Sequence, residues 1–268
     1  MRAMVYDSAN SYSTGIRPPV VTITNLRKCF GADVIYDNFN YEFKPGTFTA
    51  IFGPNGCGKS TLINMMAGLT PYDAGQILYN GKDVSKTTIG YVFQNYREAL
   101  FPWWKARENI EYPLKIKGMK AAERRRRVDE LIVQFDIKFD LERYPYEFSG
   151  GQQQLLSILR ALAPRPEIIF LDEPFSALDY EMTLFIREKL QLIFAQSKIA
   201  MVLVSHDLED AVFLAEQVMM LSKRPTRLVE MIPVNLPYPR NDLTLLHPDF
   251  IEAKRHSLEI FQQEVRRP

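Results

Sequence analysis

One run, Gly53-Pro54-Asn55-Gly56-Cys57-Gly58-Lys59-Ser60-Thr61, constrains this chain more than any other segment. It fits the pattern G-x-x-x-x-G-K-[ST] and sits between an apolar, strand-like run at residues 48–52 and a helical segment reaching Gly68. Glycines let successive backbone N–H groups converge on phosphate oxygens at the positive start of a helix. Lys59 adds a point charge and Ser60 offers a hydroxyl to Mg²⁺. Four constrained positions at ordinary residue frequencies match by chance in about one in a hundred chains of this length. A glycine-rich turn without a ligand is therefore the weaker reading. Cys57 lies at a helix start, where a thiol pKa is lowered if the thiol faces the helix amides.

Three further apolar runs, residues 89–93, 167–171 and 199–204, read as buried strands. Helical patterns separate several of them, which favours a parallel α/β core. Residues 20–30, 38–43 and 76–84 are rich in β-branched and aromatic types, and Asn80-Gly81 suits a tight hairpin turn, so a small antiparallel sheet is expected as well. A helix-rich insert occupies about residues 95–165. Within it Val128, Leu131, Ile132 and Phe135 recur at helical spacing, so the arginine run 124–127 is read as solvating the opposite face rather than binding nucleic acid. Residues 1–17 are polar and read as a poorly ordered arm, residues 18–235 as the main domain, and residues 236–268 as an extension. That extension offers a final helix with Phe250, Leu258, Phe261 and Val265 on one face.

With 46% hydrophobic and 24% charged residues among 268, the composition is that of a globular chain. A net charge of +1 provides no global field toward nucleic acid or an anionic membrane. No apolar stretch approaches the roughly 18 to 20 residues that span a bilayer, and the first residues lack the apolar centre of a signal peptide. The two cysteines, Cys29 and Cys57, lack metal-ligand spacing and are too few for a disulfide framework, which suits a reducing compartment.

Asp172 and Glu173 end the third apolar run. Alone such a pair is a common loop feature; beside a phosphate loop, Asp172 becomes a Mg²⁺ residue and Glu173 a general base for water. Phe148-Ser149-Gly150-Gly151-Gln152 opens a helical stretch, where the hydroxyl and bare N–H groups suit either a helix cap or a second anion site. Gln94 and His206 also follow strand-like runs. In a parallel sheet these residues would gather at the carboxyl edge, where ligands bind, with Gln94 near Mg²⁺ or the attacking water and His206 near the γ-phosphate.

In this order the segments resemble the ABC ATPase family over nearly all of residues 20–230. GPNGCGKST corresponds to its Walker A, FSGGQ to its signature, IIFLDEP to its Walker B, SALD to its D-loop, Gln94 to its Q-loop and His206 to its switch histidine. Phe148 stands where Leu is usual and Cys57 where Ser or Ala is common; neither change removes a phosphate donor. The resemblance implies a P-loop NTPase (RecA-like) core with a small antiparallel β subdomain and an α-helical signature subdomain, binding ATP and Mg²⁺. It implies adenine stacking on Phe30. It also implies a dimer, of two copies or two paralogues, in which Ser149, Gly150, Gly151 and Gln152 of one subunit cover ATP on Walker A of the other, with Asp179 at the interface. A transmembrane permease, a periplasmic or extracellular solute-binding protein acting through it, and a place on the cytoplasmic face of the membrane follow from the same likeness. No nucleic acid partner is expected. Residues 95–110, which include Leu100-Phe101-Pro102-Trp103, and the segment beginning Lys223-Arg224-Pro225 resemble the nitrate, sulfonate, taurine and bicarbonate importer group. A regulatory or repair ABC protein without a permease, and the ATPase of a lipid or efflux system, are the alternatives.

Overall fold

The computed structural model describes residues 17–176, 178–197 and 199–267; the arm expected at the N-terminus lies outside them except for Arg17. Its strands are β1 (Val21–Phe30), β2 (Asp33–Phe43), β3 (Phe48–Phe52), β4 (Ala74–Tyr79), β5 (Ile89–Val92), β6 (Ile168–Asp172), β7 (Ala200–Val204), β8 (Gln217–Leu221) and β9 (Leu228–Pro233). Five of them pair in parallel and β9 closes one edge antiparallel, in the order β5-β6-β7-β3-β8-β9. The expected α/β class is therefore present: β3, β5, β6 and β7 lie on the four apolar runs, while β8 and β9 are strands the runs did not mark.

Alternation explains why those runs are continuously apolar. Ile168 and Phe170 of β6 join one buried cluster, and Ile169 and Leu171 join the other. Because successive side chains point to opposite faces, a strand covered on both sides has no polar face to show. On one side lie helix α1 (Lys59–Met66) and the sheet β2-β1-β4, whose Val21, Ile23, Phe39 and Tyr79 are buried there. The expected turn is present at the end of β4: Asn80 and Gly81 have φ of 49° and 75°, and Tyr79 and Lys82 exchange hydrogen bonds of 2.7 and 2.9 Å. The chain then leaves in a 3-10 turn, Val84–Lys86, rather than returning as a strand.

The other side carries the helices. The insert contains α2 (Tyr96–Ala99), α3 (Ala106–Ile116), α4 (Ala121–Phe135) and α5 (Gly150–Leu162). Val128, Leu131 and Phe135 of α4 are buried, and Ile132 packs against them. The arginine run departs from its expected role at one position, Arg127. Arg125 and Arg126 are exposed, but Arg127 is buried and donates to the Leu162 and Ala163 carbonyls at 3.1 and 3.0 Å. A cation there meets carbonyls at the C-terminal end of α5 and complements the negative end of its dipole, a use set by the neighbouring helix.

Three more helices follow: α6 (Tyr180–Ser197), α7 (Leu208–Leu214) and α8 (Pro248–Arg266). Phe250, Ala253, Ser257, Ile260 and Glu264 of α8 are buried, whereas Leu258 and Val265 are exposed and Phe261 is half-buried against Phe52. The inward stripe is thus rotated by roughly 80° from the one expected, at 100° per residue. Polar partners account for this: Ser257 donates to the Ala253 carbonyl, and Glu264 accepts from Arg267 and forms an ion pair with Arg227, so both polar residues tolerate burial. No helix among the described residues is long and apolar enough to cross a membrane.

Candidate functional site

The phosphate loop leaves β3 and enters α1 through Gly58, whose φ of 111° suits glycine. A Cβ at Gly58 would lie 2.6 Å from Ile35 Cγ2, and one at Gly53 would lie 2.7 Å from the Leu221 carbonyl oxygen. Both glycines are therefore required by close approach of neighbouring strands. Lys59 is buried and donates to the Gly53 and Pro54 carbonyls at 2.9 and 3.2 Å, which holds its ammonium inside the loop. The Cys57 thiol is buried too, and burial pushes its pKa up against the opposing charge of Lys59. Position at a helix start does not activate it, because the thiol packs into the apolar cluster beneath.

Ser60 donates to Asp172 Oδ1 at 2.8 Å. Tyr91, in mid-strand on β5, places its hydroxyl 3.3 Å from Asp172 Oδ2 and 2.7 Å from Asn64 Oδ1. Burial raises the Asp172 pKa; the Ser60 bond opposes this and neighbouring Glu173 adds to it. Ser60 and Asp172 together offer two hard oxygen donors. Among the described residues no group of three His, Cys, Asp or Glu forms an all-protein cage. Two protein oxygens beside a phosphate site fit Mg²⁺, which prefers to keep water and phosphate in its remaining positions.

Glu173 has φ of 46°, an uncommon value for a side chain of this size, and its N–H donates to the Val204 carbonyl at 2.9 Å. The carboxylate meets two other strand ends. Gln94 Nε2, after β5, donates to Glu173 Oε2 at 2.8 Å, and His206 Nδ1, after β7, lies 3.2 Å from the same oxygen. Gathering at the carboxyl edge is thus observed, with Gln94 on Glu173 rather than on the Ser60–Asp172 pair. A cavity of about 340 Å³ opens beside them, lined by Leu178, Arg187 and Asp210 among others. A carboxylate poised here can take a proton from water, and an imidazole beside it can donate to an anion. Phe30 ends β1 with 52% of its surface exposed and Lys28 Nζ 4.7 Å from its ring centre, so it is not a core aromatic.

The second glycine segment stands apart. Ser149 caps α5, accepting from Gln152 N at 3.3 Å while Gln152 Oε1 accepts from Ser149 N at 3.0 Å. Gly151 abuts the start of α6, where a Cβ would come 2.5 Å from Met182 Cγ. Asp179 Oδ1 accepts from Met182 N at 2.8 Å, so Asp179 and Gly150–Gln152 form one surface region around the two helix starts. Among the described residues, no hydrogen bond or ion pair joins this region to residues 53–61.

Two residues escaped the sequence reading. Tyr91 looks like an ordinary strand aromatic, and only the tertiary structure puts its hydroxyl on Asp172. Asn109 is fully buried, accepts from Phe101 N at 2.8 Å and donates to the Phe101, Trp104 and Lys105 carbonyls at 3.1 Å each. It fixes the aromatic loop after Gln94, and a lone Asn in a helical pattern gives no local sign of that.

A phosphate loop after β3 at the carboxyl edge of a parallel sheet, with a carboxylate at the end of β6 two places along that edge, defines the class as a P-loop nucleoside triphosphatase. Residues 36–176 match the ABC transporter family. The chain belongs to that family and is an ATP-binding, ATP-hydrolysing cassette of it. The aliphatic sulfonates import ATP-binding protein SsuB of Bacillus subtilis (strain 168) is 36% identical over 249 residues, covering 91% of this chain and 94% of that protein. SsuB of Bacillus licheniformis is 40% identical over 214 residues, covering 79% of this chain and 82% of its own. The dimeric, post-hydrolysis structure of the ATP-binding cassette MJ0796 bound to ADP and Pi matches with a TM-score of 0.70 at 30% identity, covering 81% of this chain and 100% of that one.

Proposed function

We propose that this cassette works in pairs on the cytoplasmic face of a membrane, hydrolysing Mg-ATP to drive uptake of aliphatic sulfonates or related oxyanions through a separate permease. The substrate class rests on one observation, the similarity along 91% of the chain to a protein named for aliphatic sulfonate import. In this reading residues 53–61 hold the phosphates, Phe30 stacks on adenine, and Ser60 with Asp172 holds Mg²⁺. Glu173 activates water, while Gln94 and His206 sense the γ-phosphate. Pairing is supported by the separation of Ser149, Gly150, Gly151, Gln152 and Asp179 from the phosphate loop: a second subunit, identical or paralogous, would supply that half of each site. The cited nucleotide-bound relative is itself a dimer. A solute-binding protein outside the membrane would deliver the sulfonate, since the cassette does not contact it.

Uptake of a labelled alkanesulfonate by cells lacking this chain tests the proposal. Wild-type protein is expected to restore uptake and Lys59→Ala to fail. Unchanged sulfonate uptake in the deletion strain, with loss of uptake of another solute, would reassign the substrate.

A further inference from the structure

The phosphate loop is held from behind by three residues that lie outside it. Arg224 Nε donates to the Gly56 carbonyl at 2.6 Å, the Thr226 hydroxyl donates to the Cys57 carbonyl, and the Tyr36 hydroxyl donates to the Gly58 carbonyl at 2.9 Å. These are three successive peptide units. In a trans peptide the C=O and the following N–H point in opposite directions, so fixing a carbonyl fixes the aim of the next amide. Holding the Cys57 and Gly58 carbonyls aims the N–H groups of Gly58 and Lys59 to the other side of the loop, while Arg224 pins the turn that Cys57 N closes on the Pro54 carbonyl at 3.2 Å.

The donors are themselves joined. Thr226 N donates to the Ile35 carbonyl at 2.7 Å, and Tyr36 and Thr226 form a parallel bridge, so β2 and the segment 222–227 make one brace. Ser222 N and the Arg227 carbonyl close that segment at 3.0 Å, and Arg224 also pairs with Asp33 at 3.7 Å. Tyr36 is fully buried, and burial pushes its phenol well above the ordinary value, so it stays a donor. Ile35 and Tyr36 leave no room for a Cβ at Gly58, so β2 packs directly against the loop at that residue.

We infer that Tyr36, Arg224 and Thr226 are positioning residues for nucleotide binding: they orient the peptide units of the phosphate loop and so set its affinity for the polyphosphate of ATP and ADP. The inference rests on the proposed role of residues 53–61. Amides that meet phosphate in ground and transition states alike govern KM more than kcat. Tyr36→Phe and Thr226→Val each remove one donor at nearly constant shape. Each is expected to weaken Mg-ADP binding, measured by calorimetry, by roughly threefold to tenfold, with kcat at saturating ATP kept within about twofold. Thr226→Ser should restore affinity because it keeps the hydroxyl. Nucleotide-free thermal unfolding is recorded for every variant, and Lys59→Ala serves as the reference for the loop itself. Loss of binding in Lys59→Ala with near wild-type affinity in both Tyr36→Phe and Thr226→Val overturns the brace while leaving the phosphate site intact. Unchanged binding in Lys59→Ala removes the site reading itself. Weaker binding that follows a matching loss of thermal stability, or that Thr226→Ser does not rescue, makes these contacts structural and also overturns the inference.

Discussion

At the scale of single residues, chemistry converges on Glu173. Its left-handed backbone would relax in an isolated loop, since φ above zero is disfavoured by roughly 1 kcal/mol or more for such a residue. Here the bond to Val204 and the contacts to Gln94 and His206 hold it. Glu173→Gln keeps the size and most of the polarity but cannot accept a proton from water. Turnover should fall by about 10²-fold to 10⁴-fold, the usual contribution of a general base, with ATP affinity retained. Steady-state phosphate release and equilibrium nucleotide binding check both halves, and near wild-type turnover would remove Glu173 from the role of base. The residues with local signatures were legible before folding: a glycine loop, an acidic pair and a serine before two glycines. Tyr91 was not, because its partner Asp172 is 81 residues away and only sheet order brings them together.

At the scale of elements, the loop after Gln94 separates two tryptophans that look equivalent in sequence. Phe101, Trp104 and Tyr112 pack ring to ring at 4.7 to 5.0 Å and Asn109 locks the backbone of Phe101 and Trp104, while Trp103 has 67% of its surface exposed. Held rigidly and facing water, Trp103 suits an anchor for the permease; Trp104 suits packing. Trp103→Ala should leave the unfolding temperature and basal ATPase unchanged and lose permease capture, whereas Trp104→Ala should lower stability by about 1–3 kcal/mol. Full capture by Trp103→Ala would make its exposure incidental.

A second link between elements joins α6 to α7, where Arg187 and Asp210 form a buried ion pair. Burial pushes the Asp210 carboxyl up to about 6; Arg187 opposes this, and Asp207 and Glu209 add to it. A folded value above the unfolded one means that the native state holds the extra proton between about pH 4 and 6. Its contribution to stability is therefore full at the acid end and is lost as pH rises, on the order of 3 kcal/mol for one group. Asp210→Asn should flatten that part of the stability profile, measured by denaturant unfolding across the window. An unchanged slope would place the titration elsewhere.

At the scale of the molecule, one parallel sheet with both faces covered brings four strand ends to a single edge, and the helical side continues into α8. Phe250 is buried in the same cluster as the sheet and lies 6.5 Å from the Phe213 ring. Phe250→Ala should cost about 3–5 kcal/mol in unfolding free energy while leaving kcat near wild type in the folded fraction. A change in kcat without loss of stability would instead point to a signalling role for α8. Pairing makes its own prediction: Glu173→Gln with Mg-ATP should sediment at twice the monomer mass, because the closed state cannot discharge, and return to monomer when nucleotide is removed. What the sequence determined by itself was whatever depends on neighbours in the chain. Four of the five parallel strands read as continuous apolar runs, the phosphate loop as a strand-to-helix turn, and the catalytic candidates as residues at or just past strand ends. Tertiary structure alone decided which side of α8 turns inward, that Arg127 caps another helix, and that Arg224 and Thr226 reach the phosphate loop across 168 and 169 residues. The physical reason is that hydrophobic spacing records only whether a residue is covered, whereas the partner of a buried polar group is chosen by how separate layers pack.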